Sequence, residues 1–153
     1  MHPILGAIKA ELDKSQDDPE LRYRFALDCV EDVSGNLEDE AAIDAYERFK
    51  ALVARFDDHS PRALEELASE LKTISQSHPG SKSIDGARHA AVSATYALAR
   101  AVDGDAVNAA AYAAYSSVYG YGGYAVNDPD SFAEAHQRQL DVLLKRRAAQ
   151  TAR

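Results

Sequence analysis

The chain predicts an all-α protein, a compact bundle of six to seven helices. Three observations carry this. Apolar residues recur at intervals of three and four along nearly the whole sequence, and no segment alternates with period two over the length of a strand. Helix start and stop signals cut that pattern into pieces of ordinary helical length. With 153 residues, 46% apolar and 27% charged, the composition excludes wholesale disorder and suits a single domain. A chain of that size buries roughly two-thirds of its unfolded surface without disulfides or metals.

The elements follow in order. A short first helix presents Ile4, Leu5, Ile8 and Leu12 on one face. Asp18-Pro19 is an N-cap followed by proline in the first turn, where the missing N–H costs nothing. The helix it opens stacks Tyr23, Ala26, Leu27, Val30 and Val33 and stops near Gly35. A third, from about Leu37, carries Ala42, Tyr46, Phe49, Val53 and Phe56 inward. Ser60-Pro61 starts a fourth with Leu64, Leu67, Leu71 and Ile74 inward, ending before His78-Pro79-Gly80. The turn-rich stretch 77–86 divides the domain into a half built from larger side chains (1–78), a linker turn (79–86) and an alanine-rich half (87–153). Two helices, about 86–102 and 106–119, meet at Asp103-Gly104-Asp105. Small residues at 87, 91, 94, 106, 110, 113 and 114 let their axes approach closely, as a helical hairpin within the same domain. A last helix from about Asp130 to Ala149 buries Phe132, Leu140, Leu143 and Leu144 and ends in the basic "KRRAAQTAR", which complements its dipole.

Cys29 is the only cysteine, so an internal disulfide and cysteine-rich zinc motifs are excluded, in keeping with a reducing cytoplasm. Pro3–Ile8 is followed by Lys9, Glu11 and Asp13, unlike a secretory leader, and nothing approaches a membrane span; the expectation is a cytoplasmic protein with no membrane association.

The formal net charge of −8 has one source. Residues 28–47 hold Asp28, Glu31, Asp32, Glu38, Asp39, Glu40, Asp44 and Glu47 and no Lys or Arg; of the 25 acids, the 17 elsewhere balance the 17 bases. Such a field repels nucleic acid and attracts basic partners. It is either a solvated helix face or an acidic surface that binds a partner.

"YGYGGY" (119–124) is not a phosphate loop, because no strand precedes it, the G-x-G-x-x-G spacing is absent, and no Lys-Ser/Thr follows. Its glycines either end or pack a helix, or cradle a ligand. Asn108, Tyr112, Tyr115 and Tyr119 share one helical face, and His89, Ser93, Tyr96 and Arg100 have the same spacing on the preceding helix. If the faces meet, they form a core seam, or a polar pocket or partner-facing surface with His136, which interrupts the last helix's apolar stripe. No H-x-x-x-H, H-E-x-x-H or G-x-S-x-G motif occurs, and adjacent carboxylates such as Glu31-Asp32 diverge by about 100° on a helix. No catalytic residue, metal or cofactor is assigned.

Two stretches carry a resemblance. "RFALDCVEDVSGNLED" (24–39) resembles the short cysteine-and-acid helix near the start of a predicted bacterial immunity-protein family, one of the all-helical families of polymorphic toxin systems. "ARHAAVSATYALARAVDGDAVNAAAYAAYSSVYGYGGYAV" (87–126) is similar to that family's alanine-rich helical pair. The resemblance implies a small cytoplasmic protein that binds and blocks a toxin domain. Composition points to the same class: a compact acidic chain suits neutralisation of a basic nuclease, since charge complementarity speeds association and suppresses wrong partners. The competing expectations are a small-ligand binder, or uncharacterised enzyme, using the Tyr/His seam, and a homodimer formed through the small-residue face.

Overall fold

A computed structural model of the chain describes residues 1–76, 86–121 and 123–151, except the side chains of 86–88, 123, 124, 129 and 151. The described residues form seven α-helices, two short 3-10 helices and no strand. The helices are α1 (Pro3–Asp13), α2 (Pro19–Val33), α3 (Glu40–Ala54), α4 (Ser60–Gln76), α5 (Gly86–Val102), α6 (Ala106–Tyr121) and α7 (Pro129–Thr151). The 3-10 turns are η1 (Ser34–Asn36) and η2 (Gly123–Asn127). The linker turn expected at 79–86 lies outside the described residues, apart from Gly86, where α5 begins.

Each boundary has a local cause. The Asp18 carboxylate accepts the Leu21 N–H at 3.0 Å, with Pro19 in the first turn of α2. Asp39 accepts the Ala41 N–H at 2.8 Å, so α3 starts at Glu40, three residues later than apolar spacing alone suggests. Between α5 and α6 the Asp105 N–H reaches the Arg100 carbonyl (2.9 Å) and the Gly104 N–H reaches that of Ala101 (3.2 Å). This is a Schellman closure, and it needs the left-handed φ of +82° that Gly104 supplies.

One core joins both halves of the chain. Ile8, Leu12, Phe25, Val30, Phe49, Val53, Leu64, Leu67, Leu71, Leu98 and Leu143 are all buried in it. The α5–α6 hairpin is the most extensive contact between elements. Its buried face is Ala91, Ala94, Ala97, Ala101, Ala106, Ala109, Ala110, Ala113 and Ala114, side chains short enough for the axes to lie close. α2 packs against this hairpin, and α7 covers it together with α1.

α7 departs from expectation. Leu143 is buried, but Leu144 is 43% exposed, and Phe132 and Leu140 are half-buried. The inward stripe is Ala135, His136, Gln139 and Leu143. Two polar residues hold inward positions because they hydrogen-bond each other and the backbone, so apolarity alone misplaces the face.

Candidate functional site

The acidic segment occupies the second half of α2, η1 and the first half of α3, and its eight carboxylates fall into two sets. Three serve the fold. Asp28 takes a two-point ion pair from Arg146 of α7 through Nε and Nη2. Asp32 pairs with Arg138 of α7 at 3.3 Å, whose guanidinium also donates to Ser117 at 3.1 Å. Asp39 is spent as the α3 cap. The others face water. Glu31, Glu38, Glu40 and Glu47 are exposed and form no ion pair among the described residues. Asp44 only approaches Arg48 at 3.7 Å, a guanidinium held more closely by Glu70 at 2.6 Å, which lowers the Glu70 carboxyl pKa. The negative surface is therefore Glu31 on α2, Glu38 in the connection after η1, and Glu40, Asp44 and Glu47 on the outer face of α3.

The tyrosine-bearing faces of α5 and α6 do meet, but they form two aromatic groups. Tyr96 lies against Tyr112, ring centroids 5.4 Å apart. Farther along, His89 stacks on Tyr119 (4.8 Å, 19° between planes), Tyr119 lies over Tyr115 (6.3 Å), and Tyr115 meets Phe132 of α7 edge-on (5.0 Å, 72°). This ladder crosses three helices. It borders solvent, since Tyr115 is 43% and neighbouring Tyr121 72% exposed. Aromatic groups standing partly in water are the usual anchors of recognition surfaces. Phe132 belongs to this surface although residue spacing did not single it out, because it lies on another helix.

The remaining seam residues lie elsewhere. Asn108 is turned to the start of α6, where its side chain donates to Asp105 at 2.7 Å. Arg100 and Tyr96 line a groove of about 680 Å³ between α4 and α5, with Glu65, Lys72, Ser75 and Asp103. His136 is buried on α7, its Nδ1 2.8 Å from Gln139 Oε1, while Gln139 Nε2 donates to the Ala110 carbonyl at 2.9 Å. Its ring lies 5.1 Å from that of His2. Burial, above all, pushes the His136 pKa down; Gln139 opposes that shift and His2 adds to it.

The glycines of 119–124 play no cradle role that the described residues reveal. α6 continues through Tyr121, Gly122 lies outside the description, and η2 begins at Gly123. A Cβ on Gly120 would sit 3.9 Å from Asn36 Nδ2, ordinary van der Waals contact, so no close backbone approach demands glycine there. Cys29 is buried, and burial first, then Asp28 and Asp32, drive its thiol pKa well up, the reverse of an activated nucleophile. Among the described residues no group of three His, Cys, Asp or Glu is placed to hold a metal ion, and no helix is long and apolar enough to cross a membrane. In comparisons with family models, with curated proteins and with solved structures, the chain matches none.

Proposed function

We propose that the protein is a binding protein of the inhibitor type, which engages a basic protein domain through the acidic face of α2 and α3. The observation that carries this is the division of the eight carboxylates. The fold consumes Asp28, Asp32 and Asp39 and leaves Glu31, Glu38, Glu40, Asp44 and Glu47 in water, with Asp44 alone of the five in an ion pair among the described residues, to Arg48 at 3.7 Å. Such a patch steers a cationic partner and fixes its orientation. The partner class implied by the resemblance of 24–39 and 87–126 is a toxin domain, a basic nuclease among them.

The test is a pull-down against the products of the genes neighbouring this one, followed by stopped-flow association with the basic domain captured; capture of none would overturn the reading. The rate should fall steeply between about 50 and 200 mM salt, and Glu38→Lys with Glu47→Lys should slow it roughly tenfold or more. A rate indifferent to salt and to both reversals would overturn the reading.

The groove between α4 and α5 favours a second reading, a small-ligand binder. Its volume of about 680 Å³ is that of an ordinary ligand site, with Tyr96 and Arg100 in its wall. A thermal-shift screen of metabolites separates the two: a ligand whose stabilisation is abolished by Arg100→Ala supports the groove, and a silent screen rejects it.

A further inference from the structure

The junction of α1 with α7 contains the two imidazoles that nothing above uses. α1 lies on α7 and α6 and buries Leu5, Ile8 and Leu12 in the core. At its start, His2 Nδ1 accepts the Ile4 N–H at 3.1 Å as the N-cap. The His2 ring rests against His136, with centroids 5.1 Å apart and planes 44° apart.

The hydrogen bonds assign the protons. The Ala110 carbonyl can only accept, so the Gln139 atom 2.9 Å from it is the amide nitrogen. Gln139 then offers His136 only its oxygen, at 2.8 Å, so His136 Nδ1 carries the proton and Nε2 of the neutral ring holds the lone pair. A second proton must therefore go onto Nε2 of a ring that is buried and in contact with His2.

The ionisable groups facing α7 from each packed element do not offset that charge. α2 presents Asp28 and Asp32, both already paired with Arg146 and Arg138, and its cap Asp18, whose carboxylate accepts from Gln150 of α7 at 2.8 Å. α1 presents Glu11, bound to Arg147 and Lys14, and His2 itself. α6 presents Tyr115, which lies on Phe132. The described side chains of η2, Ala125, Val126 and Asn127, do not ionise. On α7, neighbouring Glu134 and Arg138 are exposed. Among the described residues His2 acts on His136 in the sense that disfavours its proton.

We propose that α1 is an acid-loosened strap: neutral His136 packs against His2 at its start, and protonation of His136 there weakens the docking that Leu5, Ile8, Leu12 and the Glu11–Arg147 pair otherwise hold. The sign follows from linkage. The pKa of buried His136 lies below its ordinary value of 6.5, so the open form, in which water reaches the ring, binds the proton better. Docking is at full strength above about pH 6.5 and weakens as pH falls from there through the lowered value. Within that window each pH unit shifts the open-to-docked ratio by up to about tenfold for this one histidine.

Hydrogen exchange of the whole chain, corrected for the intrinsic pH dependence of amide exchange, tests this between about pH 7.5 and 5. Protection of Ile8 and Leu12 should fall several-fold or more on acidification, while that of Leu64, Leu67 and Leu71 in α4 holds. In His136→Asn, whose amide preserves a donor near the Nδ1 position, the α1 response should flatten. Equal pH responses in α1 and α4, or an undiminished α1 response in His136→Asn, would overturn the proposal. Ring NMR of the unmodified protein provides a check independent of the variant's folding: His136 must titrate below the free value, and titration at or above it rejects the strap.

Discussion

Gly104 is the one described residue with positive φ, and two forces hold it to glycine. An L side chain in that conformation costs about 1–2 kcal/mol. A Cβ there would also stand 3.3 Å from Tyr23 Oη, tighter than most Cβ contacts, so the ring must shift slightly. Gly104→Ala should therefore lower stability by about 1–2 kcal/mol, seen as a lower urea midpoint with unchanged slope. Ser116 is a second such point. It is fully buried, donates to the Ala90 carbonyl at 2.7 Å and accepts from Asn36 Nδ2 at 3.0 Å, tying η1 to the hairpin. Ser116→Ala should cost about 1–3 kcal/mol, and Asn36→Ala less, because Asn36 is only half-buried and leaves the serine its own acceptor. The two losses should not add, since both remove the same bond. Cys29, by contrast, should stay inert to thiol reagents near pH 8 and react only once denaturant opens the core. Its burial and its two neighbouring carboxylates disfavour the thiolate.

The helices were legible in the sequence wherever a cap and a stripe agreed. α2 opens at Asp18-Pro19 and α4 at Ser60-Pro61 because those signals act within one turn. The inward face of α7 was not legible, since His136 and Gln139 are acceptable in a core only through Ala110, a partner 29 residues from Gln139 in sequence. The same limit hid the purpose of the basic end. Arg146 and Arg147, whose positions suit the helix dipole, reach across to Asp28 and to Glu11. These long-range pairs clamp α7 onto α2 and α1. The Arg146–Asp28 clamp has two-point geometry and a carboxylate only 19% exposed. Arg146→Ala should destabilise by about 1–3 kcal/mol, and Arg146→Lys should recover only part, because an ammonium cannot reproduce the fork. Arg138→Ala breaks a pair whose members are 45% and 49% exposed and should cost at most about 1 kcal/mol. Chemical denaturation of the three variants ranks them.

The whole chain pairs a core that runs through both halves with a net negative excess confined to one region, and these make different demands on the same residues. The seam expected from equal spacing on α5 and α6 is present only in part, as Tyr96–Tyr112 and the His89–Tyr119–Tyr115 ladder. Helical rotation sends Arg100 toward α4, and Asp105 claims Asn108. The acidic excess could be counted in sequence, but its division into clamps and open carboxylates could not, because the clamping arginines lie more than a hundred residues away. That division gives a prediction that separates recognition from folding. Glu31 stands in the last turns of α2, where the helix dipole disfavours an acid; Glu38 precedes the α3 cap, and Glu47 lies on the outer face of α3. None of the three forms an ion pair among the described residues, and like charges on one surface disfavour the compact state. Removing their charge together, as Glu31→Gln, Glu38→Gln and Glu47→Gln, should leave stability within about 0.5 kcal/mol of the original or raise it. Added salt should stabilise the original more than the triple variant, because screening relieves repulsion that only the original retains. A urea midpoint that falls by more than about 1 kcal/mol in equivalent free energy would mean that these carboxylates hold the fold together. An unchanged or higher midpoint, joined to a slower association with a basic partner, is the signature of charge kept for recognition at the expense of stability.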